Sequence, residues 1–220
     1  MVDDKDFFHQ ISHVLRSRIN DEVVLFNGDG FEYTYGISEI TKKGINLGFK
    51  EKTHNKADLE VAVNLYQALP NKYEKIEFII QKGSEIGIRK FVFFNSERSQ
   101  KLIINDKKIE RFNFIIKEAI EQCGGNIMPE IIFSEKMDLS GIRGKILVCH
   151  TKKPEDGKSV KKGGSEEINL FVGPEGGFSD KEIQELEKNG GEILNFGDRI
   201  LRTETTGIVV LFSILNKIIF

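Results

Sequence analysis

Tryptophan is absent from this 220-residue chain, and cysteine occurs only twice, as Cys123 and Cys149. Two cysteines so far apart, with no CxxC pair, exclude a disulfide scaffold and a cysteine-rich zinc site. Excess charge is lacking too: 32 Lys and Arg against 34 Asp and Glu leave a formal net charge of -2. A chain that holds nucleic acid by bulk phosphate neutralisation is strongly basic, so an RNA partner here must be held by local patches. No apolar run approaches the ~20 residues a membrane helix requires. The start, Met1-Val2-Asp3-Asp4-Lys5-Asp6, is acidic and reads as neither a signal peptide nor a basic transit peptide. The expectation is a reduced, cytoplasmic protein without a membrane partner.

What is present is a globular composition, 39% hydrophobic and 30% charged, long enough for one large domain or two small ones. Phenylalanine is abundant at 17 residues, which points to core filling in preference to exposed stacking platforms.

The first part of the chain is β-rich. Val23-Val24-Leu25-Phe26 is closed by the turn Asn27-Gly28-Asp29-Gly30, and Phe31 to Ile37 then alternates aromatic and polar residues. Ile45 to Phe49 alternates again after Lys42-Lys43-Gly44. Short strands so closely spaced predict a small barrel. Phe8 to Arg18 reads as a short helix carrying His9, His13, Arg16 and Arg18, and Lys50 to Asp58 as a polar linker.

Beyond the linker, strands and helices alternate, which means an α/β layer on a mainly parallel sheet. Leu59 to Leu65 reads as a strand, and Ile76, Ile79, Ile80 and Ile86 recur at helical spacing until Gly87. Phe91 to Phe94 is a buried-type strand. Ile109, Phe112, Ile116, Ala119 and Cys123 mark one face of a long helix that Gly124-Gly125 ends. Ile131 to Phe133 and Ile146 to Cys149 are further strands, and Lys152 to Glu167 is a polar loop.

Chemistry concentrates between Ile168 and Thr206. The strand Ile168 to Val172 runs into Gly173-Pro174-Glu175-Gly176-Gly177-Phe178, and Ser179-Asp180-Lys181-Glu182 is a capping box. Strand, Gly-rich turn and helix in that order is where α/β folds place ligands. The turn is neither GxGxxG nor a Walker loop, which counts against a dinucleotide or flavodoxin-like nucleotide enzyme. A second junction follows: Glu192 to Gly197, then Asp198-Arg199-Ile200-Leu201-Arg202-Thr203-Glu204-Thr205-Thr206, then an apolar helix from Gly207 to Ile219. Thr203 to Thr206 also reads as N-capping material.

Gly173-Pro174-Glu175-Gly176-Gly177 followed by Arg199-Ile200-Leu201-Arg202-Thr203-Glu204-Thr205 resembles the ribosomal RNA small subunit methyltransferase E family, of the SPOUT superfamily. His13-Val14-Leu15-Arg16, Glu77 to Gly87, Ser96-Glu97-Arg98-Ser99, Glu118 to Cys123 and Pro129-Glu130-Ile131 carry the resemblance along nearly the whole chain. It implies a PUA-like RNA-binding β-barrel over residues 1–58. It implies an α/β SPOUT domain over 59–220, closed by a C-terminal trefoil knot. It further implies a homodimer, S-adenosyl-L-methionine in the knot loops, and methylation of N3 of a uridine in small-subunit (16S) ribosomal RNA, within the assembled subunit. Two stretches depart from the common pattern. The connecting segment Gln67-Ala68-Leu69-Pro70-Asn71-Lys72, read as a linker at the first strand of the second domain, carries less charge than usual, and Leu147 to Thr151 precedes an unusually polar loop. The competing reading is a catalytically silent RNA-binding protein of the same architecture.

The cofactor is expected against Leu194, Phe196, Gly197, Ile200, Leu201, Arg202 and Thr203, with Gly173, Pro174, Glu175 and Gly176 opposite. Cys149 and His150 end a strand at the same crevice; the alternatives are a buried small hydrophobe and a surface histidine. Uridine N3 carries a proton at neutral pH. Arg199 and Arg202 are candidates to stabilise charge developing on the base carbonyls. Glu175 and Glu204 are candidates to accept the proton, or else to hold loop N–H groups. RNA contacts are expected from His13, Arg16 and Arg18. Methyl transfer calls for no metal, and no ligand-spaced cluster is present.

Overall fold

The structure is a computed structural model that describes residues 1–151 and 167–216. The polar loop expected from Lys152, up to residue 166, and the last residues of the C-terminal helix expected to Ile219 lie outside the described residues. The chain divides into two units, Met1–Asp58 and Leu59–Phe220.

In the first unit, β1 (Glu22–Leu25), β2 (Phe31–Thr41) and β3 (Gly44–His54) form an antiparallel sheet in that order. Val2 bridges Ile45 at the free edge. Asn27 and Asp29 side chains accept from the Asp29 and Phe31 N–H groups, and Gly28 and Gly30 take φ of +86°, so the β1–β2 turn is set by its own residues. A small core of Ile11, Ile37 and Ile45 is closed by Phe7, Phe8, Val23, Ile40 and Leu47.

Three readings of this unit are corrected. Lys50 to His54 belong to β3 and not to a linker: Glu51 to His54 pair with Phe31–Thr34, and Lys50 sits at a register shift. Their polarity misleads because this arm is exposed on both faces. The expected helix over Phe8 to Arg18 is shorter: α1 spans Lys5–His9, and the following turn widens through Leu15 N–H to Gln10 O and Ser17 N–H to Ile11 O. It ends where Arg16 takes φ of +53°. Nor do all the phenylalanines fill a core, since Phe49 stands 59% exposed with Tyr35 edge-on beside it.

The second unit runs β4 (Ala62–Ala68), α2 (Tyr73–Glu85), β5 (Lys90–Phe94), α3 (Asp106–Cys123), β6 (Glu130–Ser134), β7 (Lys145–Cys149), β8 (Glu167–Val172), α4 (Asp180–Lys188), β9 (Glu192–Leu194) and α5 (Thr203–Leu215). All six strands are parallel, in the order β6-β5-β4-β8-β7-β9. The first strand lies three residues beyond its expected start, at Ala62. Its register, Gln67 against Phe93 and Val172, carries Gln67 and Ala68 into the sheet and out of the expected connecting segment.

Alternation along the strands sorts the core into two layers. Leu65, Phe91 and Phe93 face helices α2, α3 and α5, where Gly83 lets Phe91 and Ile88 approach and Gly207 lets Leu65 approach. Ala68, Phe94, Val148 and Phe171 face the other way, against Phe178 and Leu186 of the α4 segment. Phe171 is fully buried, stacked on Tyr66 at 4.5 Å. Gly124, at φ of +75°, ends α3 as the sequence requires. No helix among the described residues is long and apolar enough to cross a membrane.

Candidate functional site

The C-terminal ends of parallel strands leave a crevice where neighbouring connections diverge. Here β4, β8, β7 and β9 end together, and their loops are tied by a small set of side chains.

The turn after β8 is held from both sides. Gly173 O accepts from the Thr203 hydroxyl at 2.6 Å, and that hydroxyl accepts from Gln67 Nε2 at 2.8 Å. One threonine at the start of α5 thus joins the end of β4 to the Gly-rich turn. Arg98 donates to Gly176 O and Phe178 O at 3.0 and 3.2 Å. The capping box at α4 is present, and its Glu182 also accepts from the Ser96 hydroxyl and Glu97 N–H, each at 3.1 Å. This buried carboxylate therefore fixes the turn to the loop after β5. Glu182→Ala strands three donors, at a cost of about 2–4 kcal/mol. Thermal denaturation monitored by circular dichroism reads this as a drop of several degrees; an unchanged midpoint contradicts it.

The carboxylates Glu175 and Glu204 meet at one cation. Lys75 Nζ donates to Glu175 Oε1 at 2.6 Å and lies 3.7 Å from Glu204 Oε2. Glu175 also accepts from the Asn71 N–H at 3.1 Å. Partial burial alone would raise the Glu175 pKa, but Lys75 and the Asn71 N–H outweigh it and hold it below the ordinary 4.5. The stabilisation from this carboxylate is therefore present above pH 4.5 and lost as pH falls through the lowered value. A committed, acidic Glu175 is a poor proton acceptor. Three buried oxygens in these same segments have no hydrogen-bond partner among the described residues: Gln67 Oε1, Asn71 Oδ1 and Glu204 Oε2.

On the far side, Cys149 pairs in register with Leu194 and with Val172. His150 N–H donates to Leu194 O at 3.0 Å. Asn195 bridges this edge, donating to Thr151 O at 2.7 Å and accepting from Gly197 N–H at 3.0 Å. Burial pushes the Cys149 thiol above its ordinary 9.0, so it is an uncharged wall and no nucleophile. Gly197 takes φ of +92° with nothing near its absent side chain. Leu194 is buried, Phe196 and Leu201 half-buried, and Ile200 is 82% exposed.

Arg202 is the N-cap of α5, and its carbonyl accepts from Thr205 N–H, Thr206 N–H and the Thr206 hydroxyl, all at 2.9 Å. The expected side-chain cap from Thr203 to Thr206 is thus corrected: α5 has none, because Thr203 bonds across to Gly173. The Arg199 and Arg202 side chains are exposed and make no hydrogen bond or ion pair among the described residues. Pro174 is buried, and Gly176 and Glu175 stand at the surface of the turn. Sequence reasoning missed Lys75, Gln67, Asn71, Arg98 and Asn195. Only Lys75 carried a signal, since a cation in a helix's first turn opposes the macrodipole and needs a compensating anion.

His13, Arg16 and Arg18 lie in the other unit. All three are exposed, and His13 stacks on His9 with ring centroids 5.2 Å apart. No group of three or more His, Cys, Asp or Glu suited to a metal occurs among the described residues.

The two pinned loop–helix junctions at the C-terminal edge of the parallel sheet, and the separate β unit, fall within two family matches that make this chain an RNA methyltransferase with a PUA domain. Residues 57–215 match the RNA methyltransferase domain and residues 2–50 the RNA methyltransferase PUA domain. Within that class, the chain belongs to the ribosomal RNA small subunit methyltransferase E family. It is 31% identical to the member from Bacillus subtilis, covering 94% of this chain and 86% of the relative. The second such protein of Borreliella burgdorferi is 30% identical over 93% of this chain and 86% of its own length. Among solved structures, the family member of Neisseria gonorrhoeae bound to S-adenosyl methionine superposes with a TM-score of 0.82 at 25% identity, covering 98% of this chain and 91% of that one. A methyltransferase of Legionella pneumophila with bound S-adenosylmethionine gives 0.81 at 29% identity, covering 97% and 90%.

Proposed function

We propose that this enzyme transfers the methyl group of S-adenosylmethionine to N3 of a uridine in small-subunit ribosomal RNA, acting on the assembled subunit in the cytoplasm as a homodimer. The observation that carries the reading is the Thr203–Gly173 bond, which brings the Gly-rich turn and the Arg-rich junction to one crevice. The residues there fit the cofactor. Gly177 and Gly197 present open backbone at positive φ, and buried oxygens of Gln67 and Asn71 have no donor among the described residues. Leu194, Phe196, Gly197, Ile200 and Leu201 would hold the adenine, with Gly173, Pro174 and Gly176 opposite and Cys149 and His150 forming the wall. When bound, the cofactor supplies an electrophilic methyl group on a sulfonium.

The chain's own groups do the rest. Arg202, supported by Arg199, hydrogen-bonds the uracil carbonyls and stabilises the anion formed as N3 loses its proton. Glu204 is the carboxylate assigned to take that proton, because Glu175 is held by Lys75 and the Asn71 N–H. The chain passes from β8 to β9 on the far side of β7, and α5 then returns to pack on β8 and α2. That double crossing supports a C-terminal trefoil knot. The three-stranded antiparallel sheet of the first unit, with Val2 bridged to Ile45 at its edge, supports a PUA-like barrel. Exposed Ile200, Val209 and Phe212 support a second copy as the cover of the last loop and helix. Incubation of small subunits from an unmodified strain with enzyme and S-adenosylmethionine, followed by nucleoside mass spectrometry, tests the reaction. N3-methyluridine is expected; a methyl group on another atom or base overturns it.

RNA is gripped in part by the N-terminal basic element, where His13, Arg16 and Arg18 are exposed in an otherwise acidic region. Replacing Arg16 and Arg18 by Ala should weaken binding and reduce the slope of log affinity against log salt by about 1.5. Calorimetry should return an unchanged cofactor affinity; equal loss of both ligands would point to misfolding instead.

A further inference from the structure

Beyond the small core of the first unit, β2 and β3 run on as a long ribbon, and one face of it repeats a single arrangement. Each outward group of β3 is backed by an aromatic ring of β2 directly across the register: Phe49 by Tyr35, Lys52 by Tyr33 and His54 by Phe31. Phe49 and Tyr35 meet edge to face with ring centroids 5.7 Å apart, and His54 meets Phe31 in the same way at 5.4 Å. Lys52 Nζ lies 3.8 Å from the centroid of the Phe31 ring and 4.9 Å from that of Tyr33. Phe49, Lys52 and His54 are exposed, whereas the three rings behind them are half-buried. The outward groups are thus held in place from below and left open above.

Charge is sorted between the two faces. Glu32 and Glu51 fall on the alternate positions of the strands, whose side chains point to the opposite face. Lys50, the extra residue at the register shift, is committed to Glu22 at 2.7 Å. Asp29 comes within 3.7 Å of Lys52 from the β1–β2 turn, but its carboxylate is already held by the Tyr33 hydroxyl and the Phe31 N–H. Lys52 keeps 42% of its side chain exposed. A flat ring, an ammonium and an imidazole in a row suit a partner that is itself flat and anionic by turns. A purely apolar partner would meet a cation in the middle of the row. A duplex hides the faces of its bases. Neighbouring outward positions on a strand are ~6.8 Å apart, twice the ~3.4 Å rise of stacked bases. Bases seated on this row would therefore be splayed apart, as single strands allow.

We propose that this face of β2 and β3 is a stacking platform for unpaired nucleotides of the RNA substrate: one base lies on Phe49, another on His54, and a phosphate between them meets Lys52. The proposal rests on the reading of this chain as an enzyme of ribosomal RNA, and it adds a surface distinct from His13, Arg16 and Arg18. Stacking carries the grip, which is what a chain with a net charge of -2 requires.

The absence of tryptophan supplies the probe. Phe49→Trp puts a single indole on the face of the full-length enzyme, and a base stacked on an indole quenches its emission. Oligouridylate should quench it, and the same strand annealed to oligoadenylate should not. Phe49→Ala should weaken oligouridylate binding by about 5- to 150-fold, Phe49→Leu should recover little, and Phe49→Trp should bind at least as well as wild type. Lys52→Gln should reduce the slope of log affinity against log salt by about 0.7, the share of one phosphate on a single strand. Methylation of small subunits by Phe49→Ala should show a raised KM. Thermal melts confirm that each variant is folded; should Phe49→Ala not fold, His54→Ala takes its place with the same expected loss. An indole that oligouridylate leaves unquenched, or that strand and duplex quench equally, overturns the proposal. So does an emission that changes with protein concentration alone, which would make the face an interface between copies of the chain. Wild-type enzyme that methylates no small-subunit RNA defeats the parent reading instead. Active wild type beside an unmoved affinity and KM in folded Phe49→Ala defeats the platform alone.

Discussion

If Arg202 acts as proposed, replacing it by Ala should lower the single-turnover rate of methyl transfer by roughly two to three orders of magnitude, the loss expected when an oxyanion donor is removed. The structure isolates this side chain from other duties. The N-cap function of Arg202 is exercised by its backbone carbonyl, which Thr205 and Thr206 engage, so Ala leaves the start of α5 in place. Its guanidinium has no intramolecular partner among the described residues, and Glu204, the carboxylate nearest in sequence, turns to Lys75. No partner among the described residues is therefore stranded by its removal. The effect belongs in kcat, because the bond to a uracil carbonyl strengthens only as negative charge develops. Lys at this position should recover little, since a point charge does not reproduce the planar fork. The measurement is a rapid-quench assay at saturating RNA and cofactor. A near-normal rate accompanied by a broken dimer would reassign Arg202 to the interface.

The second large effect falls on binding. Gly176→Val should weaken S-adenosylmethionine by about 100-fold or more, ~2.7 kcal/mol, with the melting temperature close to wild type. Gly176 does not need positive φ, and a Cβ there would lie 3.4 Å from the Arg98 side chain, which can give way. The protein therefore accommodates the substitution, and what it loses is the approach of a ligand to the exposed turn. Gly173 is the control. A Cβ on Gly173 would come within 2.9 Å of Phe178 N and 3.1 Å of the Gly177 backbone, atoms that cannot move without opening the turn. Gly173→Ala should accordingly lose both thermal stability and cofactor binding. Calorimetry beside thermal melts separates the two; normal cofactor affinity in Gly176→Val removes the turn from the binding site.

Local chemistry was legible in the sequence, and long-range pairing was not. The Ser179–Glu182 capping box, the Gly124 stop and the two loop–helix junctions depend on residues within a few positions of one another. Each is found where spacing predicts it. The start of β4 and the far end of β3 depend on partners elsewhere. Neighbours across the sheet decide that Gln67 is a strand residue and that Lys50 to His54 are not a linker. The same holds at the site. The GPEGG and RILRTET segments announce themselves, whereas Lys75 is one more lysine on a helix until Glu175, 100 positions later, is laid against it. Arg98 and Asn195 are hidden for a different reason: they bond main-chain oxygens, which have no residue type to betray them.

The order of the strands bears on how the enzyme comes into being during synthesis. β4, β5 and β6 with α2 and α3 are contiguous in the chain and can assemble as soon as residue 134 has left the ribosome. β4 then has an open edge, because its other neighbour is β8, joined to it by the Asn64–Asn169 bond between positions 105 apart. Closing so long a span on a parallel strand is slow, and an unpaired, Val- and Leu-bearing edge is sticky while it waits. Thr203, which locks the Gly-rich turn to Gln67, arrives later still. A nascent chain halted before β8 is thus half a sheet with a bare edge and no cofactor crevice, a species for chaperones to shelter. Competence to bind S-adenosylmethionine should be the last property gained on refolding, lagging behind the bulk of the secondary structure.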